Sequence, residues 1–86
     1  MNTYYRLDRR IPVQCGLEKW LDGSERLLIE TVVSDRVVVA TIFRSINPEP
    51  GAFFDTVRIE DSRRHVVASA STWDEAMQNH QEAAKP

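Results

Sequence analysis

The stretch that begins Ser71-Thr72-Trp73-Asp74-Glu75-Ala76 constrains the fold more than any other part of the chain. Thr72 and Glu75 have the spacing of a capping box, in which the hydroxyl accepts from the Glu75 amide and the carboxylate reaches back to the Thr72 amide. Trp73, Ala76, Met77, His80 and Ala84 then recur at i, i+3, i+4, i+7 and i+11, one stripe of an α-helix. Asp74 and Glu75 suit the positive end of the helix dipole, and Lys85 suits the other end. These cues predict a helix over 73–84 with one buried face. They define architecture and name no substrate, and no motif in the chain carries chemistry by itself.

That apolar stripe needs a surface to pack on, and the preceding residues supply strands. Arg26 to Val33 and Arg36 to Arg44 are rich in β-branched residues and are separated by Ser34-Asp35, which predicts a hairpin. Ser-Asp is a weaker turn than Asn-Gly, so the register is open by a residue or two. Ile46 to Gly51, with two prolines and a glycine, is a loop. Phe53 to Ile59 alternates like a strand, Glu60 to Arg64 is a charged turn, and His65 to Ser71 is the last strand. Near the N-terminus, Tyr4 to Arg10 reads as a short strand interrupted by Pro12. Leu17, Trp20 and Leu21 have helical spacing and Gly23 follows like a left-handed cap, so one or two helical turns are expected over 16–22. The fold class is α+β: a four-stranded antiparallel meander with a short helix before it and the capped helix packed on one face.

A chain of 86 residues makes one small domain, 1–86, and buries only about 60–65% of its unfolded surface. Its 42% apolar and 28% charged residues are those of a folded globule. Thirteen acidic and eleven basic side chains leave a net charge of −2, too balanced for an evident nucleic-acid or anionic-membrane binder. The single cysteine, Cys15, cannot form an internal disulfide, which favours a reducing cytoplasm. The N-terminal residues lack the apolar core of a signal peptide, and no run approaches the ~20 apolar residues of a membrane span.

Cys15, His65 and His80 are the soft metal ligands, and none falls in a paired zinc spacing. Cys15 with His80 as nucleophile and base would require hydrogen-bond reach and a lowered thiol pKa, for which the surrounding residues offer nothing. The simpler reading is a small buried cysteine and a histidine at the edge of the core. Ser69 and Ser71 have no nucleophile elbow, and three glycines make no phosphate loop. Arg6, Arg9 and Arg10, with Arg58, Arg63 and Arg64, are the basic clusters. They would merge if the first strand packed beside 53–59, although Asp8, Asp55, Glu60 and Asp61 dilute them.

Strand 36–44 is apolar on both faces, Val37, Val39 and Phe43 alternating with Val38, Ala40 and Ile42. Such a strand should be covered on both sides. One long helix covers one face only. The other face is left either for a second copy of the chain, making a homodimer, or for Tyr4, Tyr5 and Trp20 folding over it.

Pro12-Val13-Gln14-Cys15, then Leu17 and Trp20, Val39 to Phe43, and Thr72 to Ala76 with His80 occur in that order. In this the chain resembles a group of small bacterial and phage or prophage proteins without an established activity. Those read P-V-P-C-x-L-x-x-W near the start, V-x-T-x-F-L in the middle and T-W-x-E-A-x-x-x-H at the end. The group usually carries a Gly-rich loop with Asp and His after its middle motif, then an L-F-E-T strand. Here the loop is Arg44 to Gly51 without a histidine, and the strand is Phe53-Phe54-Asp55-Thr56, which counts against a shared metal or catalytic site there.

Together these features predict a non-enzymatic protein-binding module of phage or prophage type, homodimeric, without cofactor, metal or membrane anchor. The resemblance implies an inhibitor of a host defence complex, anti-CRISPR-like, or of a host regulatory complex. Arg58, Arg63, Arg64, Tyr4 and Tyr5 are the candidate partner-binding residues. Two other classes stay open: a small enzyme or metal-binding protein using Cys15 and His80, and a weak nucleic-acid binder using the arginines.

Overall fold

The computed structural model describes residues 1–21 and 26–85. Its centre is a four-stranded antiparallel sheet, β3 (Leu27–Ser34), β4 (Val37–Phe43), β5 (Phe54–Glu60) and β6 (Arg63–Ala70), in sequential order. The β-branched runs account for these strands, and short turns make neighbours of consecutive ones. The β3–β4 ladder closes at Ser34 opposite Val37, so the turn is Asp35-Arg36, one residue later than Ser34-Asp35. A register shift between Val32 and Ser34 absorbs the difference as a bulge.

The β5–β6 turn is tighter than a charged loop over 60–64. Asp61 and Ser62 both take positive φ, 50° and 69°, the geometry of a two-residue type I′ turn. Pairing resumes at once, so Arg63 and Arg64 belong to β6, which starts two residues before His65. Their charge is tolerated because β6 is an edge strand and both side chains are exposed.

The N-terminal segment is a hairpin where one strand was expected. β1 (Tyr4–Asp8) pairs with β2 (Ile11–Cys15) through Arg9 and Arg10 at φ 51° and 69°. Pro12 sits inside β2 because that strand has one neighbour only, so a missing donor on its free edge breaks no ladder. β1 does not lie beside β5. It meets the chain just after β4: Tyr5 N–H donates to Ser45 C=O and Asn47 N–H to Thr3 C=O, each at 2.8 Å. α1 (Leu17–Leu21) follows and rests on β1. The Gly23 cap lies outside the described residues.

α2 (Trp73–Ala83) lies across β4, β5 and β6. The Thr72 hydroxyl accepts from the Glu75 amide at 3.2 Å, half of the capping box. The return bond from the Glu75 carboxylate is not made among the described residues. Ala76 and His80 are the buried residues of the helix. Ala76 joins Phe43, Phe54 and Ala70 in a core against which Tyr5, Leu7, Leu28, Trp73 and Met77 pack. Phe54 is fully buried, with the Trp73 ring edge-on at 6.2 Å between centroids.

Candidate functional site

Strand alternation sorts the sheet into two unlike faces. Thr41 bonds to His80 of α2, so Val37, Val39, Thr41 and Phe43 share the helix side. The cross-strand register puts Thr56 opposite Thr41 and Phe54 opposite Phe43 on that same side. Val38, Ala40 and Ile42 therefore face away from the helix, with Glu30 and Val32 on β3, Asp55, Val57 and Ile59 on β5, and Arg64 and Val66 on β6.

The N-terminal aromatics do not cover this second face. Tyr5 and Leu7 join the helix-side core, Tyr5 edge-on to Phe53 at 5.1 Å. Tyr4 meets Trp20 with rings tilted and centroids 5.4 Å apart, and bridges to Ile46, beyond the end of β4. The hairpin thus caps one end of the sheet. On the open face Val32 is 69% exposed, Val66 61% and Leu27 54%. Ala40 and Val57 at its centre are enclosed by their neighbours.

A charged cluster sits within this apolar face, and sequence reasoning missed it as a site. Asp55 is buried, its carboxylate accepting from the Ser69 hydroxyl at 2.8 Å and from Arg44 Nη1 at 3.4 Å. A buried carboxylate needs such partners because desolvation without them costs several kcal/mol. The signal was an aspartate inside the otherwise apolar run Phe53 to Val57.

The candidate partner-binding residues do not converge. Tyr4 and Tyr5 lie at the Phe53 end of the sheet, whereas Arg63 pairs across from Glu60 at the far end of β5, about 20 Å along the strand. Alternation places Arg58 on the helix side, 3.5 Å from Glu60, and Arg64 on the open face. The two arginine clusters stay apart because β1 attaches beyond β4 and not beside β5.

Cys15 and His80 do not form a nucleophile–base pair. Both ring nitrogens of His80 are occupied, Nδ1 by Thr41 Oγ1 at 2.8 Å and Nε2 by Thr31 Oγ1 at 2.9 Å. Burial lowers the His80 pKa below the ordinary 6.5. Among the described residues no three His, Cys, Asp or Glu side chains gather as a metal site, and no helix is long and apolar enough to cross a membrane. No family model matches the chain, and no curated protein or solved structure matches it significantly.

Proposed function

We propose that this chain is a non-enzymatic protein-binding module that acts through the open face of the β3–β6 sheet, with a second copy of itself as the first occupant. One observation carries the reading. Four strands have α2 on one side and, among the described residues, no layer on the other, where Leu27, Val32 and Val66 stand exposed. An apolar face left in water is the usual mark of an interface.

Charge placement favours a two-fold arrangement. Glu30 on β3 and Arg64 on β6 stand at opposite edges of this face, and neither has an ion pair among the described residues. An axis along the strands lays β3 of one copy over β6 of the other. Glu30 is level with Val66 across the ladder, so it then meets Arg64 within two residues. The resemblance to small phage and prophage proteins supports a host defence or regulatory complex as the eventual target, and the lone free Cys15 supports a reducing compartment.

Light scattering at micromolar concentration tests the reading. The wild type should give about twice the monomer mass, and Val66→Asp, at a position already exposed, should return it to monomer. A monomeric wild type rejects the second copy. A dimer indifferent to Val66→Asp rejects this face.

A further inference from the structure

A groove of about 350 Å³ separates the β1–β2 turn from the start of α2 and shares no lining residue with the open sheet face. Arg9, Arg10, Ile11 and Pro12 form one wall, and Trp73 and Asp74 contribute to the other. The Arg10 guanidinium lies over the Trp73 ring, 5.0 Å from its centroid, and ties the two walls together. Ile11 is 63% exposed, so the groove offers an apolar surface left uncovered among the described residues.

The arginines lining it lack a counter-ion among the described residues. Arg36, Arg44 and Arg58 each pair with a carboxylate, but Arg9 and Arg10 have no ion pair among the described residues. The hairpin carries Arg6, Arg9 and Arg10 against Asp8, a net positive element on a net negative chain. Turn chemistry does not call for arginine here. Positive φ at both positions favours Asn-Gly, and arginine is a costly choice for a pure turn.

We propose that this groove docks an acidic segment of a partner protein, an apolar side chain seated on Ile11, Pro12 and Trp73 and flanking carboxylates taken by Arg9 and Arg10. Forked guanidinium donors match carboxylates two bonds at a time. Asp74 on the facing wall repels a uniform polyanion, which favours an acidic peptide with an apolar residue at its centre over a nucleic-acid backbone.

The test is fluorescence anisotropy with a labelled peptide of glutamates flanking a central Leu-Phe pair. The comparison ligands are its lysine counterpart and an oligodeoxythymidylate. The glutamate peptide should bind, and more weakly as salt rises. Arg9→Asn with Arg10→Gly keeps the turn and suits its φ values better, so the variant should fold while weakening binding by roughly tenfold or more, as loss of a charge-assisted hydrogen bond does. The same exchange at the other type I′ turn, Asp61→Asn with Ser62→Gly, and Val66→Asp on the sheet face should both leave binding unchanged. The proposal is overturned by absent binding, by equal binding of the lysine peptide, or by tighter binding of the oligonucleotide. Binding that survives loss of both arginines overturns it equally.

Discussion

His80 Nδ1 lies 2.8 Å from the Thr41 hydroxyl, a bond that crosses from the last turn of α2 to a central strand of the sheet. With Nε2 on Thr31, the imidazole links the helix to β3 and β4 at once. A neutral ring donates through one nitrogen and accepts through the other, and two hydroxyls suit either tautomer. Apolar contacts around Ala76 and Met77 hold α2 down. The His80 bonds select its rotation.

The two threonines are uncharged and offer His80 no counter-charge, so burial alone lowers its pKa. The unfolded chain, with a histidine near 6.5, then takes up a proton before the folded chain does. Stability is therefore constant with respect to His80 above that value and falls as pH drops from it through the lower folded pKa. The thermal midpoint should decline as pH falls below the ordinary histidine value of 6.5, and decline less in His80→Gln. Equal declines would assign the titration to other groups.

Thr41→Val preserves shape and removes the hydroxyl, leaving a buried ring nitrogen without its partner. Urea unfolding should show a loss of about 1–3 kcal/mol. A change within error would mean that the bond does not hold the helix.

Phe54 is fully buried at the meeting point of β4, β5 and Trp73. Phe54→Ala should cost about 3–5 kcal/mol, enough to unfold a domain of this size. Trp73→Ala, at a half-buried position, should cost less, and Thr72→Ala about 1 kcal/mol through the lost cap. Calorimetry that ranks Trp73→Ala above Phe54→Ala would move the centre of the core to the helix.

Asp61 and Ser62 hold positive φ without being glycine. Replacing them by Asn-Gly should stabilise the protein by about 1 kcal/mol, read as a higher denaturant midpoint with unchanged slope. A lower midpoint would mean that the native side chains contribute more than the backbone relief.

The two-fold arrangement predicts a charge swap. Arg64→Glu should weaken the dimer by setting it against Glu30, and Glu30→Arg in the same chain should restore it. Light scattering across a dilution series distinguishes rescue from additive loss. Additive loss rejects the facing of β3 and β6.

Local chemistry made much of the fold legible before any coordinates. The cap at Thr72 and the α2 stripe are local, and β3 and β4 pair with each other across a short turn, so short windows reveal them. The second N-terminal strand escaped because Pro12 reads as a strand breaker and Arg9-Arg10 lacks the residues of a type I′ turn. Both signals are locally unfavourable, and only packing of Tyr5 and Leu7 onto the core outweighs them. The β6 boundary escaped for a like reason, since two consecutive arginines read as a turn until an edge strand accommodates them.

The sequence by itself determined α2, the four strands of the main sheet and that β4 is apolar on both sides. Periodicity is a property of neighbours in the chain, and neighbours suffice to write it. Which face stays open, how the arginines divide, and that His80 meets two threonines rather than Cys15 were decided only in three dimensions. The first two depend on where β1 attaches, set by a pair of 2.8 Å bonds to residues some forty positions away, and the third on bonds from α2 to strands as distant in the chain. Contacts at that separation leave no periodic trace in the chain, because nothing local has to change for them to form.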